Sequence, residues 1–511
     1  MKKRIYSYLI AASIVVASSC KKDIGNYEYH DINKVTFSEF GELGVVNAVY
    51  GKPLTIKPEV SYTMDVKGDP SRYSYEWRYV DPADRKIHVL ATTKDLEFQG
   101  VPLKANSYTF FYRITDKETG VTFDKPFTLT VRNEINEGWM LMTDVNGKAQ
   151  LDMLSLEVDN TFSTITDLLA KTSSGLTLKG KPLFVYGFNL TTPFVAPGIN
   201  TGDYALYVGT DQETNRLEPE FFKWSSIYNA ENEVYGYNFP ENFHYDVIRR
   251  AGPNRSYMVS NGDLFCYDRT TNIRYSTPLN FTTSTGTLFK VAPCIAVNES
   301  DAFVSCVAFD VVNKRFVKHI SPSNGTVSTF TDPPAASKKF SYNIGMDLIY
   351  MDYNTSAKEV FAILKNASNQ YWLARFTPAG TQSYFDLLPA TDFDKAEKIA
   401  ISPDKGFIFY NVGGKVYKYD VPTKSTTTVF DKGTQKISVL KFHAFHNSTG
   451  FIKYKDGNKL IVCSYDPALP ADKNGKMEMF NVPTLFTDPL TVDKTYTGFG
   501  KVVSLHYRER N

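Results

Sequence analysis

The chain has 511 residues, enough for two to four domains, with 42% apolar and 22% charged residues, a balance that suits a soluble globular body. Formal net charge is +2, and without residues 1–19, which carry Lys2, Lys3 and Arg4 and no acid, 54 basic residues face 55 acidic ones. A near-neutral surface argues against nucleic acid as a partner, and 36 Phe with 33 Tyr, beside many Thr and Val, favour strands over helices.

The N-terminus opens with the positive run Lys2-Lys3-Arg4, followed by an apolar stretch from Leu9 to Ala17 broken only by Ser13. That stretch falls far short of the roughly 20 residues that cross a bilayer, so residues 1–19 read as a signal peptide. Ala17-Ser18-Ser19-Cys20 resembles a bacterial lipobox. The resemblance implies that Cys20 is acylated and becomes the mature N-terminus, so that lipid rather than a basic patch attaches the protein to a membrane. Residues 20–32 show neither period 2 nor period 3.6 and read as a lipidated tether.

Residues 33–133 read as one β-sandwich. Strands are expected at Val45–Tyr50, Leu54–Tyr62, Ser74–Val80, Tyr108–Thr115 and Pro126–Val131. Tyr108, Phe110, Tyr112 and Ile114 alternate onto one face, as do Phe127, Leu129 and Val131, the pattern of a sheet with one buried side. Lys67-Gly68-Asp69-Pro70 and Asp116–Gly120 supply turns. Trp77 falls mid-domain, where a sandwich buries an aromatic between its layers.

Ser74-Tyr75-Glu76-Trp77-Arg78, Asn106–Phe110 and Ile114-Thr115-Asp116 resemble the polycystic-kidney-disease (PKD) type of immunoglobulin-like domain. The usual Gly-Asp-Gly after the Trp strand is replaced by Tyr79-Val80-Asp81-Pro82. Cys20 followed by Gly25–Tyr29 and Asp31-Ile32-Asn33 is similar to the opening of the PKD-like family of Bacteroidetes lipoproteins. The resemblance implies an outer-membrane location facing the cell surface, and encoding beside a TonB-dependent nutrient importer and its lid lipoprotein. Surface export in such bacteria favours acidic residues after the cysteine; here Lys21-Lys22 precede Asp23, which leaves a periplasmic orientation open.

A polar boundary, Arg132 to Gly138, separates this block from residues 138–511, where a weak repeat recurs. Turn residues precede an apolar strand that ends in Asp, with Thr or Pro one or two residues later, at Asn261–Asp268, Gly413–Asp420 and Asp456–Asp466, with fainter copies at Phe316–Thr326 and Tyr371–Thr381. The anchors Tyr267, Ile320, Phe376, Tyr419 and Tyr465 are spaced by about 43–56 residues, and Leu156 and Phe222 continue the series upstream. A repeat of this size, all strand, predicts a β-propeller, read as seven blades with six or eight as alternatives. Each small sheet covers its faces only against its neighbours, so its strands are apolar on both sides, as in Leu264–Tyr267 and Ile461-Val462-Cys463. Asp392–Ile399 alone hints at a helix. The strand-like ends, Trp139–Thr143 and Gly498–Tyr507, are expected to share one blade, since an unjoined ring leaves two open edges.

Motifs of catalysis are missing: there is no H-E-x-x-H, G-x-S-x-G or Walker A sequence. No cofactor and no metal site is expected. His443 and His446 flank Ala444-Phe445 and suit a strand or turn. Asp144-Val145-Asn146-Gly147 resembles half a calcium loop but reads as a hairpin turn. None of Cys266, Cys294, Cys306 and Cys463 forms a C-x-x-C pair, and Cys294 and Cys306, which flank a turn at Asn298–Asp301, read as buried free thiols before a disulfide. The segment Trp224–Tyr245, rich in aromatics and Asn/Glu, supplies the candidate ligand-binding residues Trp224, Tyr228, Tyr235, Tyr237, Phe243 and His244. Packing between blades is the competing reading of the same residues.

The sequence therefore points to an all-β, lipid-anchored, non-catalytic binding or accessory protein, a PKD-like sandwich followed by a propeller, and the family resemblance implies capture of glycan or peptide for the importer. A propeller hydrolase or lyase acting on polysaccharide or peptide is the alternative, to be recognised by carboxylates or a Ser/His pair converging at the central opening. A purely structural subunit is the third reading.

Overall fold

The computed structural model describes residues 32–510 apart from 191–194, 197–198, 201–203, 237, 283–285, 300–304, 322–324 and 447–451. Cys20 lies outside the described residues. The chain divides into two compact units, residues 1–133 and 134–511, and both are built almost entirely of strands.

In the first unit, five strands form one sheet in the order Val45–Val49, Thr122–Arg132, Asn106–Asp116, Tyr73–Val80 and Ile87–Ala91. Two short pairs, Val35–Phe37 with Val60–Tyr62 and Leu54–Ile56 with Leu96–Phe98, supply its second layer. The expected strand from Leu54 to Tyr62 is two strands, because Pro58 offers no ladder N–H. Tyr108, Phe110, Tyr112 and Ile114 all point into the core, and Trp77 is fully buried with its indole N–H donating to the Thr93 carbonyl at 2.9 Å. Asp116 receives the Arg72 guanidinium at 2.7 Å and the Asn33 amide at 3.4 Å, which ties the first described residues to the end of the longest hairpin.

The second unit is a β-propeller. Among the described residues it holds seven antiparallel sheets of three or four strands, here numbered I to VII. Their first strands are Lys501–Arg508 (I), Pro182–Asn189 (II), Val247–Arg250 (III), Ala296–Val297 (IV), Asp347–Asn354 (V), Lys398–Ile401 (VI) and Lys436–Lys441 (VII). These strands touch one another around the ring: Lys501–Arg508 meets both Pro182–Asn189 and Lys436–Lys441, and Ala296–Val297 meets Asp347–Asn354. They therefore line the central axis.

Apolar packing closes the ring. In sheet I, Met140 and Met142 point toward Val185 and Leu206 of sheet II, while Trp139 and Leu141 between them point toward Val439 and Ile461 of sheet VII. The same division of odd and even positions recurs at every junction from II–III to VI–VII. This is why the strands are apolar on both faces. Each fully buried Leu, Met or Phe contributes about 1.5–3 kcal/mol, and no sheet can collect that without both neighbours.

Sheet I joins the two ends of the unit, as the strand-like termini predict. Gly138–Val145 pairs Lys501–Arg508 in the register Trp139↔Tyr507 and Leu141↔Leu505, with a bulge between Met142 and Thr143. Gly138 has φ +143, and a Cβ there would sit 2.0 Å from the Leu154 carbonyl oxygen, so this entry into the ring admits only glycine. The Arg508 guanidinium, fully buried, donates to the carbonyls of Ile135 (3.0 Å) and Pro219 and pins the last strand to sheet II.

Two repeat anchors are corrected. Tyr267, Phe376 and Tyr419 lie on the third strands of sheets III, V and VI, but Tyr465 lies on the second strand of sheet VII. Ile320 follows its strand and is exposed, and His319 holds the inward place. The helical hint resolves into one 3-10 turn, Phe393–Lys395, and the first strand of sheet VI.

Candidate functional site

The aromatic segment after sheet II is mostly structural. Sheet II has three strands, and the segment fills the place of a fourth: Asn229 forms a bridge to Asn215 on the last strand, and two 3-10 turns, Ser226–Tyr228 and Ala230–Glu233, pack there. Trp224 packs against the I–II core and donates its indole N–H to Asn215 at 2.9 Å. Tyr228 leans on the II–III core. Phe243, at 4% exposure, belongs to that core, which corrects its reading as a ligand contact. His244 is held by Asp246 at 3.4 Å, an ion pair that raises its pKa. Tyr237 lies outside the described residues. Among the five described candidates, Tyr235 alone stands out into solvent, 74% exposed, and Phe243 is buried in the core, so the five do not form one exposed face.

The residue that anchors this segment is Glu233, which sequence reading passed over. Its carboxylate, buried at 3% exposure, accepts from the Tyr207 hydroxyl at 2.7 Å and from Arg216 at 3.3 Å. Arg269, also buried, donates to Tyr207 at 3.2 Å and to Ser256 at 3.0 Å, with its guanidinium 4.2 Å from the Tyr267 ring centre. A carboxylate between two arginines thus bolts the segment between sheets II and III.

Charged and neutral polar side chains meet instead at the propeller axis. Arg249 comes from the first strand of sheet III, Asp352 and Tyr350 from that of sheet V, Lys441 from that of sheet VII and His506 from that of sheet I. Glu299 follows the first strand of sheet IV. Its carboxylate is hydrogen-bonded by the His446 imidazole, which follows the first strand of sheet VII, and lies 3.8 Å from the Arg249 Nε. Sheets IV and VII are not neighbours, so the Glu299–His446 bond spans the ring. The Glu299 backbone carbonyl accepts from Arg250 at 3.2 Å, and the His446 N–H donates to Glu509 at 2.7 Å, which fixes both ends of the bond. The Tyr350 hydroxyl donates to Asp352 at 3.3 Å. Tyr186 of sheet II packs edge-on to His446 and beneath Arg249, 5.8 Å from ring centre to guanidinium.

These groups are enclosed by protein yet reached by water. The Arg249 side chain keeps 38% of its accessible surface and Asp352 is exposed, yet burial raises the Asp352 carboxyl, and burial of Arg249 is outweighed by the Glu299 charge and its neighbours, which raise it. Solvent-reached groups among close-packed neighbours make the meeting place an axial well. Burial, and then the Arg249 charge, pushes the Lys441 ammonium down to about 8. Burial raises the Asp352 carboxyl. Burial would raise Glu299 too, but His446 and Arg249 outweigh it and hold that carboxylate below its ordinary range. His443 and His506, buried beside Lys441 and each other, are driven well below the usual imidazole value and stay neutral. Two carboxylates in one well are thus pushed apart, one toward its acid form and one toward its base.

Other motifs are quiet. Asp144–Gly147 is the turn between Gly138–Val145 and Lys148–Leu156, with Asn146 and Gly147 both at positive φ. Cys266, Cys294, Cys306 and Cys463 are free thiols, and burial raises all four. In the first unit Asp81, Asp84 and His88 bring their ligand atoms within 4.8 Å of one another on a surface turn, where His88 and Asp84 pair at 2.9 Å.

The chain matches the PKD-like family over residues 20–182. No curated protein sequence matches it. Among solved structures it is similar to a quinonprotein alcohol dehydrogenase-like protein from Bacteroides thetaiotaomicron, at 11% identity and a TM-score of 0.38, covering 93% of this chain and 96% of that one. It is also similar to the β-propeller domain of Myceliophteria thermophila Cps50 (Swd1), at 8% identity and a TM-score of 0.34, covering 61% and 88% of the two chains. A structural-genomics protein of unknown function from B. thetaiotaomicron is similar at 11% identity and a TM-score of 0.31, covering 85% and 96%.

Proposed function

We propose that this is a non-catalytic binding protein of the cell envelope, held to the outer membrane by lipid on Cys20 and serving a TonB-dependent importer by capturing glycan or peptide. The observation that supports it is the axial well: charged and phenolic groups from sheets III, IV, V and VII meet where solvent reaches them. Convergent polar groups in an enclosed concavity are the ordinary form of a ligand site. The well replaces the Trp224–Tyr245 segment as the place of capture. The test is retention of defined oligosaccharides and peptides by purified residues 21–511 and by an Arg249→Gln/Asp352→Asn variant. Loss of retention in the variant supports the reading, and equal retention refutes it. The anchor is tested separately: Cys20→Ala should release the protein from membranes, and unchanged pelleting with membranes counts against lipidation.

A second reading rests on one specific observation. Glu299 is held ionised while Asp352 is pushed toward its protonated form, which is how a general base and a general acid are set in one site. A propeller hydrolase acting on polysaccharide would use them so. Glu299 is already engaged by His446 and Arg249, however, and a base must be open to water. Release of reducing ends from a polysaccharide panel, lost in Asp352→Asn, would favour this reading over capture.

A further inference from the structure

The hairpin that joins Tyr73–Val80 to Ile87–Ala91 in the first unit gathers three side chains able to hold a metal: Asp81, Asp84 and His88. One donor atom from each lies within 4.8 Å of the other two. The loop is fixed by its own backbone. The Asp81 N–H donates to the Lys86 carbonyl at 3.0 Å, and the Arg85 N–H donates to the Asp81 carbonyl at 2.8 Å. Each carboxylate is then oriented through one oxygen. Asp81 Oδ1 accepts from the Ala83 N–H at 2.8 Å and Asp84 Oδ1 from the Lys86 N–H at 2.8 Å, which leaves Asp84 Oδ2 to meet His88 Nε2 at 2.9 Å. His88 stands opposite Tyr79 in the ladder, and the two rings stack at 5.6 Å, which sets the plane of the imidazole. Tyr79 is in turn packed against Tyr108 and Phe110.

An ion pair between His88 and Asp84 accounts for two of the three groups, and at so exposed a site it is worth little. It does not account for Asp81. Two carboxylates brought together disfavour each other's charge unless a cation stands between them. Among the described residues no lysine or arginine pairs with either one. The donor set names the cation. Calcium and magnesium take oxygen ligands, whereas an imidazole nitrogen beside carboxylates suits zinc. Zinc bonds of about 2.0–2.2 Å put neighbouring ligands about 3.0–3.6 Å apart. The Asp84–His88 pair stands close to that spacing, and the widest of the three separations has to close by less than about 2 Å. We infer that Asp81, Asp84 and His88 bind a zinc ion on the surface of the first unit. Three ligands come from one hairpin, and a fourth position stays open to solvent or to a group of another molecule. The site belongs to the sandwich and does not depend on capture at the propeller axis.

The test is calorimetric titration of metal-free residues 21–511 with zinc chloride, and separately with calcium chloride. Zinc should fill one saturable site that calcium does not compete for. Asp81→Asn, Asp84→Asn and His88→Ala should each weaken it at least about tenfold, the lower end of what loss of a mere outer-shell partner costs a metal site. His244→Ala, which removes the other histidine paired with an aspartate at the surface, should leave it unchanged. Melting curves without metal show whether the variants fold, and Asp84→Asn keeps an acceptor for the Lys86 N–H. No saturable zinc binding, or the same isotherm in wild type and His88→Ala, would overturn the site. Loss in His88→Ala with none in Asp81→Asn would reduce it to the ion pair and overturn the three-ligand assignment. Calcium that displaces zinc, with His88→Ala without effect, would overturn the role of the imidazole.

Discussion

Replacing Glu233 tests how the propeller holds its longest insertion. The carboxylate is 3% exposed and sits between Arg216, itself 1% exposed, and the Tyr207 hydroxyl. Glu233→Ala removes the anion and leaves two buried arginines, 216 and 269, to share an apolar interface with the tyrosines. Breaking a buried charge pair from one side costs about 3–5 kcal/mol, because the remaining charge keeps its desolvation penalty without its partner. Glu233→Gln keeps an acceptor for Tyr207 and loses only the charge, so it should cost less, about 1.5–3 kcal/mol, the worth of a hydrogen bond to a charged group. Urea unfolding of the residue 134–511 unit, followed by tryptophan fluorescence, reads both, since Trp224 lies at the root of the same segment. The midpoint should fall in the order wild type, Gln, Ala with the slope unchanged. A loss below about 1 kcal/mol for Glu233→Ala would mean that the segment is not bolted by this network, and would return Trp224–Tyr245 to consideration as a mobile ligand loop.

Three further outcomes follow from the same contacts. Deleting Lys501–Asn511 removes the inner strand of sheet I with Val502, Leu505 and Tyr507, all buried, and should lower the melting temperature of the whole propeller, an unchanged melt in calorimetry being the contrary result. Trp224→Ala should cost about 2–4 kcal/mol in lost packing and a lost indole bond, whereas Tyr235→Ala, at an exposed site, should stay within about 0.5 kcal/mol; equal effects would contradict the assignment of one to the core and one to the surface. Because the folded pKa of Lys441 lies near 8, below its unfolded value, the folded state gives up this proton first: stability measured by urea unfolding should rise with pH from about 8 toward the unfolded value. Arg249, Glu299, Asp352, His443, His506 and Cys463 surround this lysine, and Lys441→Met should flatten the trend, an unchanged slope being the contrary result.

The fold was legible because propeller strands carry their pattern locally. Leu264–Tyr267 and Ile461–Cys463 are apolar at every position since each sheet has two neighbours, and the strand-like ends announce their pairing. The repeat misplaced Tyr465 because second and third strands of a blade share the same apolar run and the same turn chemistry, so a step of one strand leaves no mark in the sequence. The axial site was not legible for the opposite reason. Arg249, Glu299, Asp352, Lys441 and His506 span more than half of the propeller sequence, one or two per sheet, with no spacing that joins them. A weak signal existed: each is a polar residue on or beside an otherwise apolar first strand. The aromatic segment drew attention through composition, yet composition does not separate rings that bind from rings that pack. Glu233, a lone acid among them, was the residue that distinguished the two.

Lys441 reports directly on capture of ligand at the propeller axis. An amine held near pKa 8 is more often deprotonated at neutral pH than an ordinary lysine, and so reacts sooner with an acylating reagent. Residue-resolved mass spectrometry after brief acetylation, with and without an oligosaccharide or peptide that the protein retains, should show early modification of Lys441 that the bound molecule suppresses while surface lysines such as Lys395 and Lys424 react alike in both samples. Modification of Lys441 that is unaffected by a saturating concentration of the same oligosaccharide or peptide, with binding demonstrated in the same tube, would place the ligand elsewhere and contradict capture at the axis.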